Sequence, residues 1–497
     1  MILREYQKEC VNRIIQKNSG SYLIQMATGL GKTATFTSIP SRGKVLILSH
    51  REELVHQPQK YYDFPIGIEQ ASNESHGEMV VSASVQTLAK RLDKFDRDEF
   101  DIIITDECHH AAAKTYRDIY RHFSPRLHLG FTATPNRGDR VRLNDIFSEI
   151  IFQRDLRWGI ENGYLSNIYC LRANIEYDLS NVKTKAGDYA PGELDDAMTG
   201  TADAIAQAYR DHAKGSTLVF AVSVRHAEEI AERIRGAVVI TAKTKNRAEI
   251  IERFSKGEIP CLVNVMVFTE GTDIPRVETV IIARPTQSDG LYAQMVGRGL
   301  RPYPGKDNLI LIDCVGVTDD ARLCTAPTLI GMDMSSVPYS KKEEIQGDIF
   351  DLEEKIIKAS DSPESWIKNV EIVDLWAKTQ KYNLHGINWF KMPSGDLVCS
   401  LTHGKKVVIP CPDTLGEVKT LRGESIPMQQ AIDNAYKLLC DMHMDERYIW
   451  DLSRAKKWGK SPASDRQKAL IARRLDGYDA SGLTKLQASQ ILNRLLT

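Results

Sequence analysis

Two short segments of this chain carry residue types whose spacing suits phosphate chemistry. Near the N-terminus, Met26-Ala-Thr-Gly-Leu-Gly-Lys-Thr33 follows the apolar run Tyr22-Leu-Ile-Gln-Met26 and precedes a stretch that reads as a helix. Gly29 and Gly31 let the backbone approach an anion closely, and the N–H groups of a helix start point at it. Lys32 supplies a point charge for terminal phosphates, and the Thr33 hydroxyl can ligate magnesium. Met26 stands where the strict pattern has a first glycine. Further on, Asp106-Glu-Cys-His109 ends Phe100-Asp-Ile-Ile-Ile-Thr105, a run with the pattern of a buried parallel strand. Two carboxylates thus arrive at a strand's C-terminal edge, Asp106 for the metal and Glu107 to orient or deprotonate a water. Alone, a glycine-rich turn or an Asp-Glu pair is ordinary loop chemistry. In this order and at this separation they imply hydrolysis of ATP with magnesium.

Composition narrows the setting. At 497 residues the chain exceeds one hydrophobic core and predicts about three domains. With 65 basic against 66 acidic residues, a nucleic-acid partner must be met by local patches rather than by net charge. Nine scattered cysteines without a C-x-x-C pair predict reduced thiols and a cytoplasmic location, with no disulfide scaffold and no structural zinc. No apolar run approaches the ~18 residues of a membrane span, and the start Met1-Ile-Leu-Arg-Glu has no secretory pattern, so no membrane partner is expected.

More segments join the series. Leu129-Gly-Phe-Thr-Ala-Thr-Pro135 reads as a strand ending in two hydroxyls. The strand patterns at 216–222 and 259–266, with a helical pattern at 224–230 between them, predict a second parallel sheet covered by helices. Phe268-Thr-Glu-Gly-Thr-Asp-Ile-Pro275 and Gln294-Met-Val-Gly-Arg-Gly-Leu-Arg301 follow. Taken in order, these segments resemble the superfamily 2 helicases and translocases over nearly two-thirds of the chain. Ser49-His-Arg-Glu-Glu-Leu54, the Asp106–His109 box, Gly187-Asp-Tyr189 and Gly305-Lys-Asp-Asn-Leu-Ile-Leu-Ile-Asp313 are similar to bacterial and phage helicases related to RadD and to the motor subunits of restriction enzymes. No nuclease constellation accompanies them. The cysteine-rich finger of some RadD-like proteins is absent, because Cys399, Cys411 and Cys440 are too dispersed for a compact zinc site.

The resemblance implies an α/β fold of two tandem RecA-like, doubly wound parallel-sheet domains with a small α+β C-terminal region. It implies that ATP and Mg2+ bind between the lobes. Arg4 and Gln7 would lie at the adenine, and Thr28, Gly29, Gly31, Lys32, Thr33, Gly271 and Asp273 around the rest of the nucleotide. Lys32, Asp106, Glu107, Gln294, Arg298 and Arg301 would be catalytic, the arginines neutralising charge on the transferred phosphoryl group. A nucleic-acid track would run over Ser49, His50, Arg51, Ser84, Gln86, Thr87, Thr132 and Thr134 on the first lobe, and over Ser223, Lys243 and Thr269 on the second. The expected activity is that of a DNA helicase or translocase in replication, recombination or repair, in a phage or prophage setting. Rival readings are a restriction or defence motor subunit, an RNA helicase, and a nucleotide-gated DNA-binding regulator that does not turn over.

The expected boundaries are 1–160 for the first lobe and 161–330 for the connector and second lobe. A charged linker with a solvated helix follows at 331–375, then a small β-meander with a helix at 376–445 and a basic helical tail at 446–497. Turn signals at Pro393-Ser-Gly395 and His403-Gly-Lys405 mark the meander, and a helix is expected over 428–442. Trp389 and Phe390 are candidates either for base stacking or for core packing. In the tail, eleven Lys and Arg face four Asp from Arg447 onward, around Trp450 and Trp458, with a helical hairpin over 464–475 and 484–496. The tail pattern is similar to those of phage-type helicases. It reads either as a second nucleic-acid contact or as a docked helix pair with a solvated basic face.

Overall fold

The computed structural model describes residues 2–495 except 51, 112, 134–142, 144, 186, 268–275, 317–322, 333, 381, 414, 421–422 and 453–460. The chain divides into two compact units, one of residues 1–318 and 323–330, the other of 319–322 and 331–497.

The first unit holds two parallel sheets. The first sheet uses β1 (Gly20–Met26), β2 (Lys44–Ser49), β3 (Gly67–Glu69), β4 (Val80–Ser84), β5 (Phe100–Thr105), β6 (Leu127–Thr132) and β7 (Glu149–Arg154) in the order β3-β4-β2-β5-β6-β1-β7. Every neighbouring pair is parallel. Continuous apolar runs such as Val45-Leu-Ile-Leu48 and Ile102-Ile-Ile104 fit strands covered on both faces, and these residues are fully or almost fully buried. The strand order sets the C-terminal ends of β1, β6 and β5 side by side, where ligands of open parallel sheets bind.

The second lobe begins with β8 (Asn167–Ile175) and a short antiparallel hairpin of β9 (Thr184–Lys185) and β10 (Asp188–Tyr189). Then come β11 (Thr217–Phe220), β12 (Ala237–Ile240), β13 (Cys261–Asn264), β14 (Thr279–Ile282) and β15 (Asn308–Gly316), ordered β12-β13-β11-β14-β15-β8 with parallel neighbours. Its core joins Val219, Val263 and Ile281 from the sheet to Tyr189, Leu194 and Met198 from the connector. The connector hairpin and the Pro191–Ala197 helix after it therefore belong to this lobe.

The second unit contains a three-stranded antiparallel sheet (Phe390–Lys391, Leu397–Ser400, Lys406–Ile409) and a two-stranded one (Glu417–Lys419, Ser425–Pro427). The Met428–Met442 helix buries Met428, Ile432, Ala435 and Leu439, one face at helical spacing. These join Trp389, Leu397 and Trp450 in one core. Trp389 is thus a core residue rather than a base-stacking platform; Trp450 is buried with it, and its indole N–H is spent on His443 O at 2.7 Å. Trp458 lies outside the described residues.

The Pro363–Gln380 helix corrects the expectation of a solvated helix. Trp366, Asn369, Val373 and Ala377 are all buried, at spacings of three and four. Trp366 packs with Ile471, Ala488 and Ile491 of the hairpin formed by the Asp465–Arg474 and Lys485–Leu495 helices. Asn369 donates to Lys391 O at 2.9 Å and accepts from Lys391 N at 2.7 Å. The charged residues between these positions hide the buried stripe from a compositional reading.

Candidate active site

The phosphate-type loop leaves β1 at Met26, which is fully buried, and ends at the Lys32–Phe36 helix. Gly29 (φ 89°) and Gly31 (φ 78°) adopt left-handed backbone. A Cβ on Gly29 would press within 2.8 Å of Leu165 Cδ2, and one on Gly31 within 2.5 Å of Gln7 Nε2, so a side chain at either position would be strained by the backbone and would displace a neighbour. The Glu5–Ile15 helix braces the loop from outside. Tyr6 donates its hydroxyl to Leu30 O at 2.7 Å. Gln7 Nε2 donates to Leu30 O at 3.1 Å and Gly31 O at 3.4 Å, while its Oε1 accepts the Arg4 N–H at 2.9 Å. The Gln7 amide, expected at a base, here holds the loop itself. Tyr6, which adjoins Gln7 and has no role legible in the sequence, braces the same loop. Burial raises the pKa of its hydroxyl, which keeps it a donor, and its ring lies edge-on to Trp158 and Tyr164. Arg4 reaches the same cluster, its guanidinium 5.5 Å over the Tyr164 ring.

At the end of β5, Asp106 and Glu107 are both buried. Glu107 has φ 47° and ψ 51°, a left-handed conformation uncommon for a residue with a long side chain. Its N–H donates to Asp106 Oδ1 at 3.0 Å. Glu107 Oε1 lies 3.3 Å from Lys32 Nζ, and its Oε2 lies 3.5 Å from His109 Nδ1. Thr132, fully buried, ends β6 between the two edges. The Thr28 hydroxyl oxygen is buried beside the loop with no hydrogen-bond partner among the described residues. An open glycine loop, one cation, two carboxylates and a spare hydroxyl fit a metal-bound triphosphate, which Lys32, Thr33 and Asp106 would hold.

The second lobe bears directly on this loop. The Asp289–Gly297 helix carries Gln294, which is buried, and is capped at its C-terminus by Arg298, with Arg301 three residues on. A Cβ on Gly297 would collide with Thr28 Cγ2, and one on Gly290 would lie 3.7 Å from His109 Nε2. The helix thus touches both the phosphate loop and the acidic box. Lys306, which the sequence gives no role although it lies in the Gly305–Asp313 segment, holds the stretch after the helix by donating to the carbonyls of Gly299 and Arg301. Burial pushes the pKa of its ammonium down to about 8 against the opposing pull of Glu278.

The remaining expected residues sort by position. Ser49 and Ser84 are buried and directly paired across β2 and β4. Ser84 Oγ donates to Gln86 Oε1 at 2.8 Å, and Gln86 Nε2 to His50 O at 3.1 Å, leaving exposed His50 and Gln86 at the rim. Thr87 Oγ accepts from Ala71 N at 3.3 Å. On the second lobe, Ser223 and Lys243 follow β11 and β12, strands separated by β13, and Lys243 is exposed. Ser223 caps its helix by accepting from His226 N at 3.0 Å and donates to Asp195 Oδ1 at 2.5 Å. Arg51, Thr134, Thr269, Gly271 and Asp273 lie outside the described residues.

Comparison with known proteins matches residues 1–137 to the type III restriction enzyme res subunit and residues 200–302 to the helicase conserved C-terminal domain. The chain is 32% identical over 403 residues to "Putative ATP-dependent helicase IRC3" of Saccharomyces cerevisiae, covering 71% of this chain and 58% of that protein. It is 32% identical over 307 residues to a 51.5 kDa protein of a Lactococcus phage, covering 59% of this chain and 65% of that one. It is 26% identical over 432 residues to the type I restriction enzyme EcoAI endonuclease subunit of Escherichia coli, covering 74% and 52%. The chain spans less than two thirds of the length of each of these relatives. Both domain matches fall on the two parallel sheets that carry the motif series in its expected order, so the two lobes are similar to those of ATP-dependent helicases and restriction-enzyme motor subunits.

Proposed function

We propose that this chain is a magnesium-dependent, nucleic-acid-stimulated ATPase that moves on DNA. The observation that carries the reading is the seating of the Asp289–Gly297 helix on Thr28, next to the Lys32–Glu107 pair. Lys32 would bind terminal phosphates, which compete with Glu107 for its charge. Glu107 would then be free to orient the attacking water, with its turned backbone fixing the direction of the carboxylate. Bound magnesium would neutralise phosphate charge and polarise the bond that breaks. Arg298 and Arg301, fixed by the helix end and by Lys306, would stabilise charge on the transferred group. Because the loop-contacting helix belongs to the second lobe, nucleotide turnover would shift that lobe against the first.

The track would lie along the rim of His50 and Gln86 and the exposed Lys243. Polar and cationic contacts of this kind grip phosphates with little base discrimination and strong salt dependence. The basic C-terminal helices would add a second contact with the strand. We place this role in the cytoplasm, in replication or recombination; a phage setting fits the phage relative. A second reading, the motor subunit of a restriction or defence complex with its nuclease on another chain, is favoured by the first-lobe family match and the Escherichia coli relative.

Steady-state ATP hydrolysis tests the proposal, measured with no polymer, single-stranded, duplex and forked DNA, and RNA, with Glu107→Gln as the blank. We expect one DNA form to stimulate turnover, and the variant to lose about 10²-fold or more of it. Preferential stimulation by RNA would replace the DNA track. No stimulation above the blank would rule out a stand-alone motor and point to the restriction complex or to a binding role.

A further inference from the structure

We infer that Asp188 is a positioning residue for ATP hydrolysis, fixing the entry of the helix whose far end delivers Arg298. The inference rests on the ATPase reading and adds a residue to it that touches neither nucleotide nor track. Asp188 sits in the connector hairpin, within the Gly187-Asp-Tyr189 segment. Its carboxylate accepts three hydrogen bonds from the loop after β14, from Arg284 Nη2 at 3.0 Å, Thr286 Oγ at 3.0 Å and Gln287 N at 2.9 Å. The Arg284 side chain is 8% exposed and that of Asp188 18%, so the pair is shielded from solvent.

From this carboxylate a chain of hydrogen bonds leads into the helix. Thr286 Oγ, having given its proton to Asp188, accepts from Ser288 N at 3.1 Å. Ser288 is the N-cap of the Asp289–Gly297 helix, and its Oγ accepts from Leu291 N at 3.3 Å. A single helix carries that alignment from Ser288 to Arg298, so a change in how it enters moves its far end against the phosphate loop.

The anchor on the other side is firm. Tyr189 and Leu194, which flank the turn into the Pro191–Ala197 helix, are buried in the second-lobe core. On that helix, Asp195 accepts from Ser223 Oγ at 2.5 Å and pairs with Arg225 Nη2 at 3.1 Å, gripping the loop after β11. The connector hairpin and helix therefore clamp the ends of the adjacent strands β11 and β14 with one carboxylate each. A three-acceptor carboxylate on a rigid mount, aimed at a helix cap, is suited to setting register, whereas holding a surface hairpin in place needs far less.

The test is a double-variant cycle on the full chain, reading kcat and KM for ATP at saturating polymer together with thermal unfolding. Asp188→Asn is expected to lower kcat about tenfold, with KM for ATP within about twofold and unfolding within a few degrees of wild type. Thr286→Val, which keeps the Asp188–Arg284 pair and removes only the relay hydroxyl, should give a smaller loss of kcat in the same direction. It carries the test should Asp188→Asn not fold. In an Arg298→Ala background either substitution should add less than about twofold, because the group it positions is already gone. Full multiplication of the two effects, or wild-type kcat in both single variants, would overturn the inference. Failure of the ATPase reading itself would appear separately, as wild-type turnover no greater than that of Glu107→Gln.

Discussion

Glu107 shows how much a single residue carries at this site. Its left-handed backbone costs on the order of 1–3 kcal/mol, and what it gains is a carboxylate turned toward Lys32 and His109. A second buried residue ties stability to pH. His226 Nδ1 accepts from Val222 N at 3.4 Å, and Thr201 Oγ, which donates to Met198 O at 2.7 Å, is left to accept from His226 Nε2 at 3.1 Å. The ring is thus held neutral, and burial pushes its pKa down to about 4. The unfolded chain takes up this proton below the ordinary value of about 6.5, so the stability is whole above that pH and is lost as the pH falls toward 4. Urea unfolding should show His226→Gln weaker than wild type at pH 7 by about 1–2 kcal/mol. From pH 6.5 to 5 its further loss should be smaller than wild type's by about 2 kcal/mol. Equal losses over that interval would show that this proton is not linked to folding. At this scale the sequence disclosed residues whose type is the chemistry, such as Lys32, Asp106 and Glu107. It did not disclose the roles of Tyr6, Lys306 or Asp188, although the last two lie in segments that carry the resemblance, because they act on backbone or side-chain partners brought near only by the fold.

Elements were legible where periodicity and punctuation agree. The strands behind the phosphate loop and acidic box, and the Met428–Met442 helix, announce themselves through unbroken apolar runs or one apolar face. The Pro363–Gln380 helix did not, because an excess of charge masks its buried stripe. What no single element reveals is its neighbour, and the helix–loop seat at Gly297 is such a case. Gly297→Ala places a methyl against the branched Thr28 side chain on the other lobe, whereas Gly299→Ala strikes Leu309 and Val280 within its own lobe. The first substitution should lower kcat about tenfold or more with little change in melting temperature. The second should lower the melting temperature by several degrees, as overpacking a core does. If Gly297→Ala keeps wild-type turnover, the seat does not contribute to hydrolysis.

Across the whole molecule, the described residues of the ATP site fall in the first unit, while the second has two apolar cores of its own. That division lets a grip on the strand be tested apart from the chemistry. On the Asp465–Arg474 helix, Arg466, Arg473 and Arg474 are exposed and make no ion pair with any described residue. Positions 466 and 473 are two turns apart on one face, with 474 beside them, and the small Ala469 between leaves room for a phosphate backbone to come close. A purely solvated role for this face would leave DNA dependence untouched when the arginines are neutralised. Replacing all three arginines with Gln should leave basal turnover and KM for ATP within about twofold, because the nucleotide site is elsewhere. The DNA concentration for half-maximal stimulation should rise about fivefold or more. Its logarithmic salt slope should become shallower by about two to three, one unit for each lost phosphate contact. An unchanged salt slope would show that the unit does not hold the strand, and the track would then be confined to the rims of the two parallel sheets.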